Sequence, residues 1–518
     1  MRASLLSPRA LRITAASLPV AASLVMASAG AYAQVPGADP GPKRAVSIVP
    51  LVSVTETLTD NVRLSPVGEK AELITEISPG IRITLDGARL KGYFDYALNG
   101  IFYARNSSPS QTQNALNTFG TLEAVDNWAF VDFSSSISQQ AVSAFGTPSV
   151  DNTSVNANRT EVSNYRISPY LRGRLGATAR YEARYSRAAT SSDAAALSDV
   201  TTSDGVFKIS GDSAFRNLGW LADASRQRID FNTGRATEAD RLNLGLSYAI
   251  TPQLQVSANA GREANNYTSF DKKSYATGGF GVSWSPSPTT TLAASRDRRS
   301  FGNTHSVSFE HRTPRTAWKY TDSKGLSTTP TQTGIASLAI SDLLYSQYLA
   351  VEKNPVSRAQ FDAILPLFGI NPNARFNFGF LTSALSLQRR QDLSFALLGV
   401  RDTITFVATR SETSRLDTVV TGIFDDLTTS SLVRQRGLSV NYAHRLTPNY
   451  SLGVLASQQK TSGDSSLQDT TLRLVNVSVS GKVGKRAAAS VAVRHVVSSS
   501  RTVPYVENAI TCILNMQF

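Results

Sequence analysis

Arginines, tyrosines and a few acids at alternating positions are the residues of this 518-residue chain with chemistry to offer. Over 164–172, extended backbone puts Asn164, Arg166, Ser168, Tyr170 and Arg172 on one face, and Tyr165, Ile167, Pro169 and Leu171 on the other. Over 179–186, Arg180, Glu182, Arg184 and Ser186 alternate with Ala179, Tyr181, Ala183 and Tyr185. Arg226, Arg228 and Asp230 share a parity opposite Gln227, Ile229 and Phe231. Guanidinium groups pair with carboxylate and phosphate, and tyrosine faces offer flat stacking platforms. A strip of this kind would attract an acidic sugar polymer. The same residues also read as Arg and Glu that pair along a wall and bind nothing. Arg166 and Arg172 favour the first reading, because their segment carries no acid after Glu161.

Enzymatic chemistry is not legible. His305, His311, His444 and His495 lie among abundant Ser and Asp, but a Ser–His pair is set by geometry that spacing across strands does not reveal. No G-x-S-x-G elbow, H-E-x-x-H motif or Gly-rich phosphate loop occurs; Gly278-Gly279-Phe280-Gly281 fits a strand kink better. One cysteine, Cys512, excludes an intramolecular disulfide framework, and no zinc-ligand spacing is present. We expect no catalytic residues, no metal and no cofactor.

The elements that would position the arginines are strands. Leu242, Leu244, Leu246, Tyr248 and Ile250 alternate with Asn243, Gly245, Ser247 and Ala249; Thr251-Pro252-Gln253 turns the chain, and alternation resumes from Leu254. Asp86-Gly87, Asp126-Asn127, Pro286–Pro288, Thr447-Pro448-Asn449 and Gly481–Gly484 read as further tight turns. Longer polar stretches lie between them, at 59–70, 105–112, 141–159, 190–201, 232–238, 413–430 and 462–467. Short turns at one end and long loops at the other characterise outer-membrane barrels, and the segments from residue 46 onward number about 22, with 18–24 allowed. An even count puts both termini at the periplasmic, short-turn end. The last segment alternates Ile510, Cys512, Leu514, Met516 and Phe518 against mostly polar neighbours, as a lipid-facing closing strand would. A soluble solenoid would also alternate, but it would show a fixed period of 20–50 residues. None is present.

Residues 1–33 read as a signal peptide. Arg2, Arg9 and Arg12 precede an apolar run, and Ala31-Tyr32-Ala33 offers cleavage after Ala33. Residues 34–45 then form a flexible periplasmic leader and 46–518 the barrel. Without the three leader-peptide arginines the formal charge of +13 becomes +10, a bias toward anionic partners. For an exported chain those are outer-membrane lipid, lipopolysaccharide or an acidic polysaccharide, and not nucleic acid. Residues 326–378 break the strand pattern: Leu338, Asp342, Tyr345 and Tyr348 are at helical spacing, and Asn354-Pro355 suits a second helix start. They read as a short helical insertion, either a lid or plug or a surface loop packed on itself.

One stretch resembles a known family. Thr118 to Phe133, with Phe130-Val131-Asp132-Phe133, runs into Ser136-Ile137-Ser138-Gln139-Gln140 and Phe145-Gly146; Tyr165 to Arg172 follows. Together with Pro355-Val356-Ser357-Arg358 and the two Tyr…Thr-Pro hairpins, this is similar to the PEP-CTERM system-associated outer membrane protein family. The resemblance implies a barrel in the outer membrane of a Gram-negative bacterium, in a setting of exopolysaccharide production and exosortase sorting. It carries no functional residues with it.

The expectation is therefore an all-β, large antiparallel transmembrane β-barrel with no enzymatic activity, porin-like in outline. It takes part in exopolysaccharide secretion or surface assembly, as a pore for an acidic polysaccharide lined by Arg166, Tyr170, Arg172, Arg180, Arg184, Arg226 and Arg228. The alternative is a non-conducting barrel that anchors surface material or secretion partners. Expected partners are periplasmic export proteins and the barrel assembly machinery, the latter reading Phe518.

Overall fold

The computed structural model describes residues 45–518 apart from 195–197, 213–214, 216, 233, 328–378 and 418–424. The signal peptide, Ala33, the leader up to residue 44 and both expected helices of the insertion lie outside the described residues.

The chain forms 22 strands. They begin with β1 (Val46–Thr59), β2 (Glu72–Asp86), β3 (Leu90–Tyr103), β4 (Gln111–Val125), β5 (Ala129–Ala141), β6 (Arg159–Leu175) and β7 (Ala179–Ser192). Next come β8 (Val200–Asp212), β9 (Leu218–Phe231), β10 (Thr237–Thr251), β11 (Leu254–Asn265), β12 (Lys273–Ser287), β13 (Thr290–Arg299), β14 (Gly302–Arg312) and β15 (Thr316–Ser327). The last are β16 (Ser386–Leu398), β17 (Asp402–Arg415), β18 (Leu432–Arg445), β19 (Tyr450–Ser462), β20 (Thr470–Lys482), β21 (Ala487–Ser500) and β22 (Tyr505–Gln517). Every strand pairs antiparallel with its neighbour in sequence, and β1 pairs with β22 from Leu51↔Gln517 to Thr59↔Ala509, which closes the sheet. Closure leaves no unpaired edge, the condition for crossing lipid with strands. Leu326 and Ser327, expected in the insertion, extend β15 and pair with Leu387 and Ser386. A single helical turn, α1 (Asp426–Thr429), and a short 3-10 turn at Ser466–Gln468 are the helical elements among the described residues.

Even-to-odd connections are short, two to five residues, and include the Asp126-Asn127, Pro252-Gln253 and Pro448-Asn449 turns. Asn127 takes the left-handed conformation (φ 56°) that asparagine tolerates, and Gly176 does the same (φ 63°) in the β6–β7 turn. Odd-to-even connections include all the long ones, chiefly 60–71, 142–158, 328–385 and 416–431; the links β9–β10, β13–β14 and β21–β22, of five, two and four residues, are the short exceptions. Val46 and Gln517 both lie at the short-turn end.

Burial separates the two faces of the wall. Leu242, Leu244, Leu246, Tyr248 and Ile250 of β10 are each about half exposed, whereas Asn243 between them is buried. The apolar parity therefore faces outward and the polar parity inward, as a lipid-facing band requires. All four tryptophans, Trp128, Trp220, Trp284 and Trp318, sit at the short-turn end, where Tyr181, Tyr248 and Tyr450 join them. An aromatic girdle at one rim of the apolar band marks a membrane interface. Several girdle rings lie over a glycine directly across the strand pair: Trp220 over Gly211, Tyr181 over Gly173 and Tyr450 over Gly481. Phe133, higher on the wall, covers Gly120 so closely that a Cβ there would meet its Cζ at 2.2 Å. Each glycine leaves the space that its aromatic partner fills.

Candidate functional site

The inner wall is rich in Ser, Thr, Asn and Gln, and several of its charges are paired. Arg82 donates to Asp95 at 2.6 Å, Arg299 to Glu263 at 2.6 Å, and Arg390 to Asp392 at 2.6 Å. Strands β5 to β7 differ. Phe130 and Tyr170 are Cα partners, and their rings stack at 5.1 Å between centroids with 16° between planes. The Arg172 guanidinium lies 4.1 Å from the Phe130 ring centre, and that of Arg184 lies 3.8 Å from the Tyr170 ring centre. The result is a four-layer stack, Arg172–Phe130–Tyr170–Arg184, with a cation at each end. Arg184 also donates to Asp132 at 2.8 Å and to Glu182 at 3.0 Å. Arg166 donates to Ser168 at 3.3 Å and Ser186 at 3.2 Å. Arg172, Arg174 and Arg180 have no acid within ion-pair distance among the described residues. Thus Arg166, Tyr170, Arg172, Arg180 and Arg184 share the inner face. Phe130 and Asp132 complete the group, and sequence reasoning had not included them; their parity on β5, opposite Val131 and Phe133, was the available signal.

Arg226 and Arg228 are a correction. They pair across β9–β10 with Asp240 and Glu238, on the parity of Leu242 and Leu244, and therefore point outward. Arg228 bonds Asp230 at 3.0 Å and Glu238 at 3.1 Å, and Lys272 holds Glu238 at 2.7 Å and Asp240 at 2.8 Å. Ile229 and Phe231, on the opposite parity, point inward, where Ile229 packs with Val200, Tyr267 and Leu385. The rule that apolar positions face lipid fails at this end of the wall, because the loops bring their own apolar core into the mouth.

The mouth at the loop end is crossed by protein. Loop 142–158, between β5 and β6, reaches α1, which follows β17: Ser143 Oγ donates to Asp426 Oδ1 at 2.6 Å and the Ala144 N–H to Oδ2 at 2.5 Å. From β6 to β17 is eleven strands, half of a ring of 22, so this contact spans the mouth. The same loop sends Asp151 to Arg494 of β21, and Arg494 also holds Glu507 of β22 at 2.6 Å. Tyr505 donates to Pro148 O at 2.6 Å, Tyr103 to Thr153 O at 2.8 Å, and Val155 N–H to Val62 O at 2.9 Å. Residues 380–385 add a second crossing: Phe380 packs on Leu427 and Val433, and the Ser198 N–H donates to Ser383 at 2.9 Å. None of these residues stood out in the sequence, since each is one charged or apolar position in a polar loop or strand. Burial alone would raise the Asp151 carboxyl, but Arg494, the Ser154 hydroxyl and Arg159 outweigh it and hold Asp151 well below the usual carboxylate range. Asp426 goes the other way: burial pushes it up against the bonds from Ser143 and Ala144, with Asp425 adding to the rise.

Phe518 lies at the short-turn end, 61% exposed, its N–H donating to Pro50 O at 3.0 Å. Cys512 is exposed on the outer parity of β22.

No family model matches the chain, and neither does any curated protein. Among solved structures, it is similar to the siderophore receptor PirA from Pseudomonas aeruginosa, at 9% identity and TM-score 0.44, covering 91% of this chain and 80% of that one. It is similar also to the FrpB iron transporter from Neisseria meningitidis (F5-1 variant), at 11% identity and TM-score 0.48, covering 91% and 82%. A third is the ferric-catecholate import receptor Fiu from K12 E. coli, at 7% identity and TM-score 0.47, covering 90% and 81%. The likeness is that of one large barrel to another.

Proposed function

We infer that this outer-membrane β-barrel handles an acidic exopolysaccharide in the outer membrane of a Gram-negative bacterium, the setting that its resemblance to PEP-CTERM system-associated proteins implies. The observation that carries the reading is the Arg172–Phe130–Tyr170–Arg184 stack, flanked on the inner wall by Arg174 and Arg180, which have no acidic partner among the described residues. Carboxylated sugars would find guanidinium donors beside flat aromatic faces, and the polar remainder of the wall would let the chain slide. In this reading the strip is a contact surface for the polymer, and the loops that cross the mouth must move before it passes.

A second reading has its own support. The crossing from loop 142–158 to α1 and to Arg494 suits a closed barrel that anchors surface material or periplasmic export partners and conducts nothing. Planar-bilayer recordings separate the two. The wild type and a released variant, Arg494→Ala with Asp426→Ala, are compared with and without an acidic oligosaccharide. Conduction by the released variant, anion-favouring and blocked by the acidic but not a neutral oligosaccharide, supports the conduit. Silence in both proteins, with the barrel folded, supports the anchor.

A further inference from the structure

The outer wall over β13–β19 carries more positive charge than a lipid-facing surface needs. Cα partners run in an unbroken row across six strands: Arg296, His305, Lys324, Arg389, Glu412 and Arg434. One step nearer the short turns runs a second row: Asp322, Gln391, Arg410, Arg436 and Lys460. Both rows face outward, since Arg296 partners the 66% exposed Phe280 and Arg436 shares the parity of the exposed Leu438. They hold seven cations against two acids. Arg389 and His305 occupy Asp322, at 2.9 and 3.0 Å, and Arg410 occupies Glu412 at 2.5 Å. Arg296, Lys324, Arg436 and Lys460 have no acid within ion-pair distance among the described residues. A groove of about 610 Å³ opens on this wall, lined by Arg296, His305, Lys324 and Arg389 beside Phe280 and Val307.

An outward arginine costs about 2–4 kcal/mol at mid-membrane and about 0–1 near the interface. The two rows therefore mark the headgroup level of the leaflet at the loop end. β10 carries five successive outward apolar positions, Leu242 to Ile250, whereas β18 has only Leu438, Val440 and Tyr442 between the cationic rows and the short-turn end. The row charge is absent over β1 to β4, whose outward positions at this end include Glu56, Leu58, Thr75, Phe102 and Asn114 and none basic, and the outward Arg226, Arg228 and Lys272 of the β9–β12 sector are held by Asp230, Glu238 and Asp240. A zwitterionic headgroup would bring as much positive charge as negative and would leave this excess uncompensated. Phosphate monoesters match it, because a guanidinium grips two phosphate oxygens at once.

We propose that the outer wall of β13–β19 is a binding site for a multiply phosphorylated lipid of the leaflet at the loop end, with phosphates on the two cationic rows and an acyl chain beside Phe280 and Val307. The site is independent of the glycan reading, since it lies on the opposite face of the wall.

The test is native mass spectrometry of the delipidated full chain, offered bis-phosphorylated lipid A, its dephosphorylated form or phosphatidylcholine in mixed micelles. The comparison is with an R296Q/K324Q/R436Q/K460Q variant whose folding is checked by heat-modifiable gel mobility. The wild type should retain the bis-phosphorylated lipid, and the variant should lose about tenfold or more of that retention. If the fourfold variant fails to fold, single K324Q and R436Q variants read the same loss at smaller size. Equal retention of the dephosphorylated lipid, unchanged retention by folded variants, or displacement by an equal concentration of inorganic phosphate would each overturn the proposal.

Discussion

Asp151, in the loop between β5 and β6, is ion-paired with Arg494 on β21, seven strands away round the ring, and Arg494 shares that charge with Glu507 at 2.6 Å. One guanidinium, 11% exposed, thus joins a mouth-crossing loop to the wall next to the β22–β1 closure. Both carboxylates depend on it.

Replacing Arg494 by alanine strands Asp151 and the 2% exposed Glu507 side chain without their cation. Breaking a buried pair from one side costs about 3–5 kcal/mol. Release of the loop relieves part of this, because Asp151 then reaches water. The expected outcome is a barrel that still shows heat-modifiable mobility while loop 142–158 becomes open to protease. A loop as resistant as in the wild type would show that the latch does not hold it.

The two carboxylates that hold this loop respond oppositely to pH. Asp151 lies below its ordinary pKa of about 4, so its contribution is fully present above that value and is lost only as pH falls through the depressed one. Asp426 is raised, so the native loop binds the extra proton; its support is greatest below about pH 4 and declines as pH rises toward its native value. Amide-exchange protection of residues 142–158, corrected for intrinsic rates, should therefore fall between pH 4 and neutrality in the wild type. In Asp426→Asn the slope should vanish. A slope that persists in that variant assigns the pH response to another group.

On the inner wall, Arg172→Gln and Arg180→Gln should each weaken an acidic oligosaccharide several-fold, by about 0.5–1 kcal/mol, and more at low salt. Tyr170→Ala should also weaken neutral sugars, since it removes the central ring of the stack. Arg226→Gln and Arg228→Gln should change neither, because both side chains lie on the outside. Calorimetric titration of detergent-solubilised barrel checks all five. Equal losses in the inner and outer variants would remove the strip as a site.

Gly120→Ala places a methyl group where the Phe133 ring lies, with its Cζ 2.2 Å from the new Cβ. Overpacking costs about 1–3 kcal/mol unless the ring swings into the lipid. A lower urea midpoint for folding into bilayers is expected, and Phe133→Ala should restore part of it. If the double variant is as unstable as their summed effects, the ring and the glycine are not coupled.

Alternation and turn chemistry were local properties, and the strand ladder followed them closely. Asp126-Asn127, Pro252-Gln253 and Pro448-Asn449 became turns, residue 46 began β1, and β22 took up the alternation read over 510–518. Parity also put Arg166, Tyr170, Arg172, Arg180 and Arg184 on one face, because a strand in a closed wall has only two faces and lipid accepts one kind of residue. What no local pattern held was the far side of the ring. Asp151 finding Arg494, Ser143 finding Asp426 and the inward turn of Ile229 beneath Leu385 each join residues far apart in the chain that only barrel closure brings together. The same closure sent Arg226 and Arg228 outward. Once loops fill the mouth with apolar side chains, the inner face there buries isoleucine and phenylalanine, and the arginines are left to the interface where charge costs little.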